Sequence, residues 1–433
     1  MISVLGCRVE RSAWAVVLGA AVLAAPAPRI EAQGPPRHYK GDERVALDSA
    51  LKDEDVQAAL LHINEHRKEM SEMLVRLASI EAPSGNERAR ATVVAQRMRE
   101  IGLDDVVLED GPSPNVMGRI KGRSRGAILF VSTLDDLANI AELQRSAPHP
   151  PRVEGGKVVG PGTNTSATTA SLLAAAAAIE ASHVEPMHDI IFAAVAREET
   201  GLQGMKRLYA AMGDSVMAVV DVLGDGRSIS YGAIGIDWWR VVAHGPAGHT
   251  LNGGLPNVNL GIARAVDGIF AIPLPPEKDS TRTVLNIAML KSGDVFNHKP
   301  DSGWFSLDVR SLDAKVLAAT EDSVRAVLDR VSAETGIRFD MQEVQRTPGG
   351  QIAGAESSPL VRTSAAIARW LGFEPTLGRA GSANMNVAIA GGTPAIGLGG
   401  ERGGARGTPQ EWADVTSMVR SAKHIVLLAA TLQ

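Results

Sequence analysis

The sequence is short of thiols, of aromatic residues and of any excess of one charge. Of its 433 residues one is cysteine, Cys7, and 4% are aromatic. A disulfide within the chain is therefore excluded, and stability has to come from burying aliphatic side chains. With 44 Lys and Arg against 49 Asp and Glu, the formal charge is −5. That balance lacks the basic footprint by which nucleic-acid binders are read, so no nucleic-acid partner is expected. Long apolar runs are also scarce. The one that stands out, Ala13 to Ala25, is shorter than the roughly 20 residues needed to span a bilayer.

What is present at that end reads as an export signal. Arg8 and Arg11 precede the apolar run, Pro26 and Pro28 follow it, and Ile30-Glu31-Ala32 offers a cleavage end. Residues 1–32 are thus expected to be a signal peptide, residues 33–45 a linker, and the mature chain periplasmic or secreted, without a membrane span. Cys7 lies ahead of the run, so it is not the lipid-bearing residue of a lipoprotein.

Further along, apolar residues recur at helical spacing from Val56 to Ile80, and a second helix is expected over 87–101, stopped by Gly102. Short apolar runs of buried-strand length then alternate with helical stretches: 126–131, 171–181, 189–196, 216–222 and 393–398. Strand, helix, strand implies an α/β domain with a doubly wound, mainly parallel sheet. Residues 236–344 differ, with alternating strands and two amphipathic helices. They are read as an α+β lid or dimerisation domain inserted into an α/β domain made of 46–235 and 345–433.

In parallel sheets the ligand site lies beyond the carboxyl ends of the strands. There the sequence places Asp135 and Asp136 after one run, Glu198 and Glu199 after another, and Asp221 at the end of a third. Like charges so close raise one another's pKa, so the group must take up protons, bind a cation or pair with arginine.

The order of pieces resembles the co-catalytic dizinc exopeptidase family that includes aminoacylase, glutamate carboxypeptidase, peptidase T and succinyl-diaminopimelate desuccinylase. The resemblance rests on Thr133-Leu134-Asp135, Gly160-Pro-Gly-Thr-Asn-Thr165, Glu198-Glu199-Thr-Gly201 and Gly245-Pro-Ala-Gly-His249. Asn297 with Pro300, Asp308-Val-Arg310, Gly392-Thr-Pro394 and Glu411-Trp412 complete it. It implies two zinc ions that share an aspartate and a water, each with a histidine and a further carboxylate. Carried over position by position, the resemblance makes Glu198 the general base, Glu199 and Asp221 metal ligands, and Asp135 a member of the catalytic set. The remaining ligand positions fall on Thr133, Thr165 and Gly407, so both histidines and the bridging aspartate are lost. A threonine hydroxyl is neutral and weakly donating, a poor replacement where zinc prefers imidazole or carboxylate.

The substrate-gripping positions, by the same resemblance, are kept. His249 and Asn297 correspond to lid residues that reach the scissile carbonyl across a homodimer interface, and Arg310 to the clamp on a substrate carboxylate. Two resolutions of the acidic cluster stay open. An oxygen-only set, Asp135, Asp136, Glu198, Glu199, Asp221 and Thr165, suits magnesium, manganese or calcium. Alternatively Arg406 or Arg402, on the glycine-rich loop 399–407, supplies the positive charge and no metal binds. The expected function is an exported hydrolase of amide bonds in small peptides or N-acyl amino acids with a depleted metal site. The alternative is an inactive paralogue that binds peptide or carboxylate ligands.

Overall fold

The computed structural model describes residues 43–276 and 280–432. The expected signal peptide lies outside the described residues, as does the linker except for its last three residues, which open the helix Glu43–Ala50. Among the described residues no helix is long and apolar enough to cross a membrane.

An eight-stranded sheet organises the larger part. Its order is Asp104–Leu108, Val116–Ile120, His188–Val195, Ser124–Thr133, Val216–Val222, Ala395–Gly399, Ser228–Ser230, Thr376–Gly378. The four adjacent strands from His188–Val195 to Ala395–Gly399 are mutually parallel. The two strands at one edge and the pairing of Ala395–Gly399 with Ser228–Ser230 are antiparallel. The sheet is therefore mixed, with a parallel centre and antiparallel pairings towards its edges. The antiparallel members are short or flanked by charge and glycine, so no apolar run marks them in the sequence.

Alternation along the central strands buries both faces. Ile128, Phe130, Ile190 and Phe192 point into one apolar cluster, with Leu74, Met98, Leu172 and Ile425. Leu129, Val131, Ile191 and Ala193 point into another, with Met205, Leu208 and Met385. The helix Thr163–Ala181 is buried along nearly its whole length. Its alanines let the helices Glu54–Glu65, Arg67–Ala78 and Val415–Thr431 pack closely against it. The stretch expected as one helix from Val56 to Ile80 is broken at His66, which ends the first helix and starts the next.

Residues 235–347 build their own five-stranded sheet around the long strands Gly235–His244, Ser302–Ser311 and Arg338–Thr347. Trp239, Val241, Phe305 and Leu307 point to the helices Val258–Phe270 and Ala314–Thr335 and form a third cluster. The opposite face of that sheet carries Trp238, Arg240, Trp304, Asp308 and Arg310 and has no helix on it. Beside the long strands run two short ones, Val284–Asn286 and Leu290–Ser292.

Candidate functional site at the carboxyl ends of the central strands

Parallel pairing brings the expected residues to one rim. Thr133 pairs with Val195 and Val131 with Asp221, so the segments after residues 133 and 195 leave the sheet beside Asp221. The chain then turns sharply. Arg197 and Leu202 adopt left-handed φ angles of 55° and 58°, sparsely populated for residues with a side chain, and fold the Glu198–Gly201 segment back over the strand end.

Asp135 anchors that segment. Its fully buried carboxylate accepts the backbone N–H groups of Glu198 at 2.9 Å and Glu199 at 3.1 Å, together with the Ser84 hydroxyl. Burial raises its pKa to about 6, against the lowering effect of those three donors. Two groups without a sequence signal complete the support. Buried Glu87 accepts the N–H groups of Gly85 at 2.8 Å and Arg197 at 3.0 Å. Arg90, 1% exposed, donates to the carbonyls of Leu134 at 2.7 Å and Ile80 at 2.5 Å and to Asp136 at 2.6 Å.

Asp136 is thereby paired with Arg90 through Oδ2, while its buried Oδ1 has no hydrogen-bond partner. Asp221, wholly buried, accepts the Met385 N–H at 2.9 Å and lies 3.5 Å from the Asn384 amide nitrogen, which also donates to Thr133 Oγ1 at 3.2 Å. Burial lifts Asp221 to about 7. Glu198 is raised well above the carboxylate range by burial and then by Glu199, Asp135 and Asp221. Glu199 is raised by burial and held back mainly by Arg406, whose Nη2 lies 2.9 Å from its Oε1.

Glu411 ties the far side together. Its carboxylate accepts the N–H of Asn164, in the first turn of the helix Thr163–Ala181, at 2.9 Å and that of Gly407 at 3.0 Å. A carboxylate at a helix N-terminus is stabilising, and here it also fixes the loop that carries Arg406.

His249, Asn297 and Arg310, all within residues 235–347, form a second group. His249 Nδ1 accepts the Leu251 N–H at 3.1 Å, and the Asn297 amide lies 3.2 Å from Nε2. It is the amide nitrogen of Asn297 that stands beside Nε2, while its Oδ1 lies 2.9 Å from His298 Nδ1. Arg310 is paired with Asp308 two residues back on its own strand, Nη2 to Oδ2 at 2.9 Å and Nε to Oδ1 at 3.0 Å. In this arrangement its fork faces an internal carboxylate, and a ligand would have to displace Asp308.

The donor set does not fit a two-zinc centre. Thr133, Thr165 and Gly407 stand at the lost positions, and among the described residues no group of three or more His, Cys, Asp or Glu side chains is placed to hold a metal. The oxygen-only arrangement expected as one resolution is undone by the same geometry, since Asp135 is spent on backbone and Asp136 on Arg90.

A mixed sheet covered by helices, a second sheet built by 235–347 and an acidic strand-end rim define the class as an exopeptidase-type hydrolase scaffold. The chain belongs to peptidase family M20/M25/M40, whose family model matches residues 133–431. A curated relative, the LysW-lysine/LysW-ornithine hydrolase of Sulfurisphaera tokodaii, is 22% identical over 333 residues, 74% of this chain and 83% of that protein. Among solved structures, aminopeptidase PepT from Bacillus cereus matches with TM-score 0.69 at 19% identity, over 84% of this chain and 98% of that one. Human carnosine dipeptidase 1 matches with TM-score 0.64 at 14% identity, over 87% and 99%. These structural likenesses are of fold. The chain is thus a member of a hydrolase family in which the ordinary metal cluster is missing from the described residues.

Proposed function

We propose that the protein hydrolyses amide bonds in small peptides or N-acyl amino acids by a route other than the two-zinc one. The observation that carries this reading is Glu198, kept at the family's general-base position and fixed by Asp135 through its backbone N–H. In this mechanism Glu198 takes a proton from water, the water oxygen adds to the carbonyl carbon, and the carbon–nitrogen bond breaks as the same proton passes to the leaving amine. Burial, Glu199, Asp135 and Asp221 raise the Glu198 carboxyl well above its ordinary value, which makes it a stronger base towards water. His249 and Asn297 fit a role on the substrate carbonyl. Their exposure beside Leu251 and Phe296 supports the proposal that they reach it in a homodimer formed through the lid. Export through residues 1–32 belongs to the same reading.

A second reading, a site that binds carboxylate-bearing peptides without cleaving them, is favoured by the Arg406–Glu199 pair, because a guanidinium does not generate hydroxide. Assays on dipeptides and N-acyl amino acids separate the two. Turnover abolished by Glu198→Gln, with ligand binding retained, is the expected result. No turnover in the wild type, with binding intact, would leave only the second reading.

A further inference from the structure

Gly407, one of the positions that the resemblance assigns to a lost ligand, lies on an arginine-bearing loop held by strand pairing and by hydrogen bonds at both ends. Gly403 sits at φ 151°, where a Cβ atom would come within 1.9 Å of the Trp412 carbonyl oxygen. Gly403 and Gly404 pair with Ala413 and Trp412, and the Asp414 N–H donates to the Arg402 carbonyl at 2.8 Å. Before the loop, the Glu401 N–H donates to buried Asp225 at 3.1 Å; after the turn at Ala405, the Gly407 N–H donates to Glu411 at 3.0 Å. The two arginines between these staples are aimed at the acids. Arg406 meets Glu199 at 2.9 Å, and its charge also acts on Glu198, Asp136 and Glu411. Arg402, half-buried, lies in the field of Glu198, Glu199 and Asp221.

Arg406 therefore pairs with one of the carboxylates that would share a metal pair and Arg402 lies in the field of the others, and both enter on the segment that would have carried its last histidine. We propose that Arg402 and Arg406 are the resident cations of this site. They set two positive charges against the three acids Glu198, Glu199 and Asp221 where the family arrangement calls for two zinc ions, and with one acid keeping its proton the folded pocket is charge-balanced without a divalent metal. A delocalised guanidinium is suited to this, because its planar fork pairs carboxylates and keeps its charge at every accessible pH.

The inference deepens the hydrolase reading, and its test does not use turnover. The full chain, purified without chelator, is titrated with zinc chloride and with manganese chloride while its thermal unfolding is followed, and its metal content is measured. No stoichiometric metal and no concentration-dependent rise in Tm is the expected result. A site filled to a hundred times its Kd would instead raise the folding constant about 100-fold. Such a rise, or tightly held zinc, overturns the proposal.

A double-mutant cycle supplies the second arm, with Arg406→Ala, Glu199→Gln and the pair compared by chemical unfolding. Arg406→Ala is expected to lower the folding constant about threefold to tenfold, as for a half-exposed pair inside a network. In the Glu199→Gln background the loss should be largely suppressed, and Arg406→Lys should recover most of it. An equal loss in both backgrounds means that Arg406 only packs the loop and overturns the proposal. Should these results hold while no substrate is turned over, the hydrolase reading alone fails. Zinc-dependent turnover would reject the arginine inference and the zinc-free route while leaving the amide-hydrolase reading standing.

Discussion

Replacing Asp221 by asparagine should make the protein more stable at pH 8, although it removes a carboxylate from the heart of the site. Asp221 is wholly buried, and its pKa stands at about 7 against an ordinary 3.8. Between those values the folded chain holds a proton that the unfolded chain has released. Stability therefore falls as pH rises from 4 to 7, and the loss is complete above 7. Three units at about 1.4 kcal/mol each give an upper bound of about 4 kcal/mol. Asparagine keeps an oxygen for the Met385 N–H but sets its own amide against that of Asn384, which cuts the gain to about 1–3 kcal/mol. Urea unfolding of both proteins at half-unit steps from pH 4 to 8 measures the difference. The wild type should weaken more steeply across that interval, and the two curves should separate in favour of Asp221→Asn above pH 6. Parallel profiles, or a variant weaker than wild type at pH 8, would refute the reasoning. The second outcome is expected of an Asp221 held ionised by a metal.

Three further outcomes follow from other buried groups. His424, fully buried with its pKa lowered to about 3, stays neutral in the fold while the unfolded chain protonates below 6.5. Stability is lost as pH falls through that value, and His424→Leu should shift the acid-unfolding midpoint to lower pH. Arg90→Met leaves the buried Asp136 charge without its partner and should cost about 3–5 kcal/mol, with Arg90→Met/Asp136→Asn recovering much of it in urea unfolding. Gly403→Ala drives a Cβ into the Trp412 carbonyl and should cost about 1–3 kcal/mol, the same change at exposed Gly254 costing far less.

The central strands and their acidic ends were legible because buried parallel strands are written as uninterrupted aliphatic runs, and the residue after each run marks the rim. Asp135, Glu198, Glu199 and Asp221 were found that way. The antiparallel edge was not, since Asp104–Leu108 and Val116–Ile120 carry charge and glycine and read as loop. Glu87 and Arg90 escaped for another reason. On a helix a charged residue looks like a solvated face, and only the tertiary fold shows that Arg90 reaches the carbonyls of Leu134 and Ile80. For Arg310 the clamp role came from resemblance alone, while its position two residues from Asp308 on one strand face allows the internal ion pair that the structure shows. Asp136 was counted with the cluster because spacing cannot tell which of two adjacent carboxylates turns inward to an arginine.

The most direct test of a site balanced by arginine is diffraction at the zinc absorption edge from crystals grown in the presence of zinc. The account predicts no anomalous peak between Glu198, Glu199 and Asp221, with the Arg402 and Arg406 side chains ordered against them. Two peaks at that position, with both arginines displaced, would contradict it.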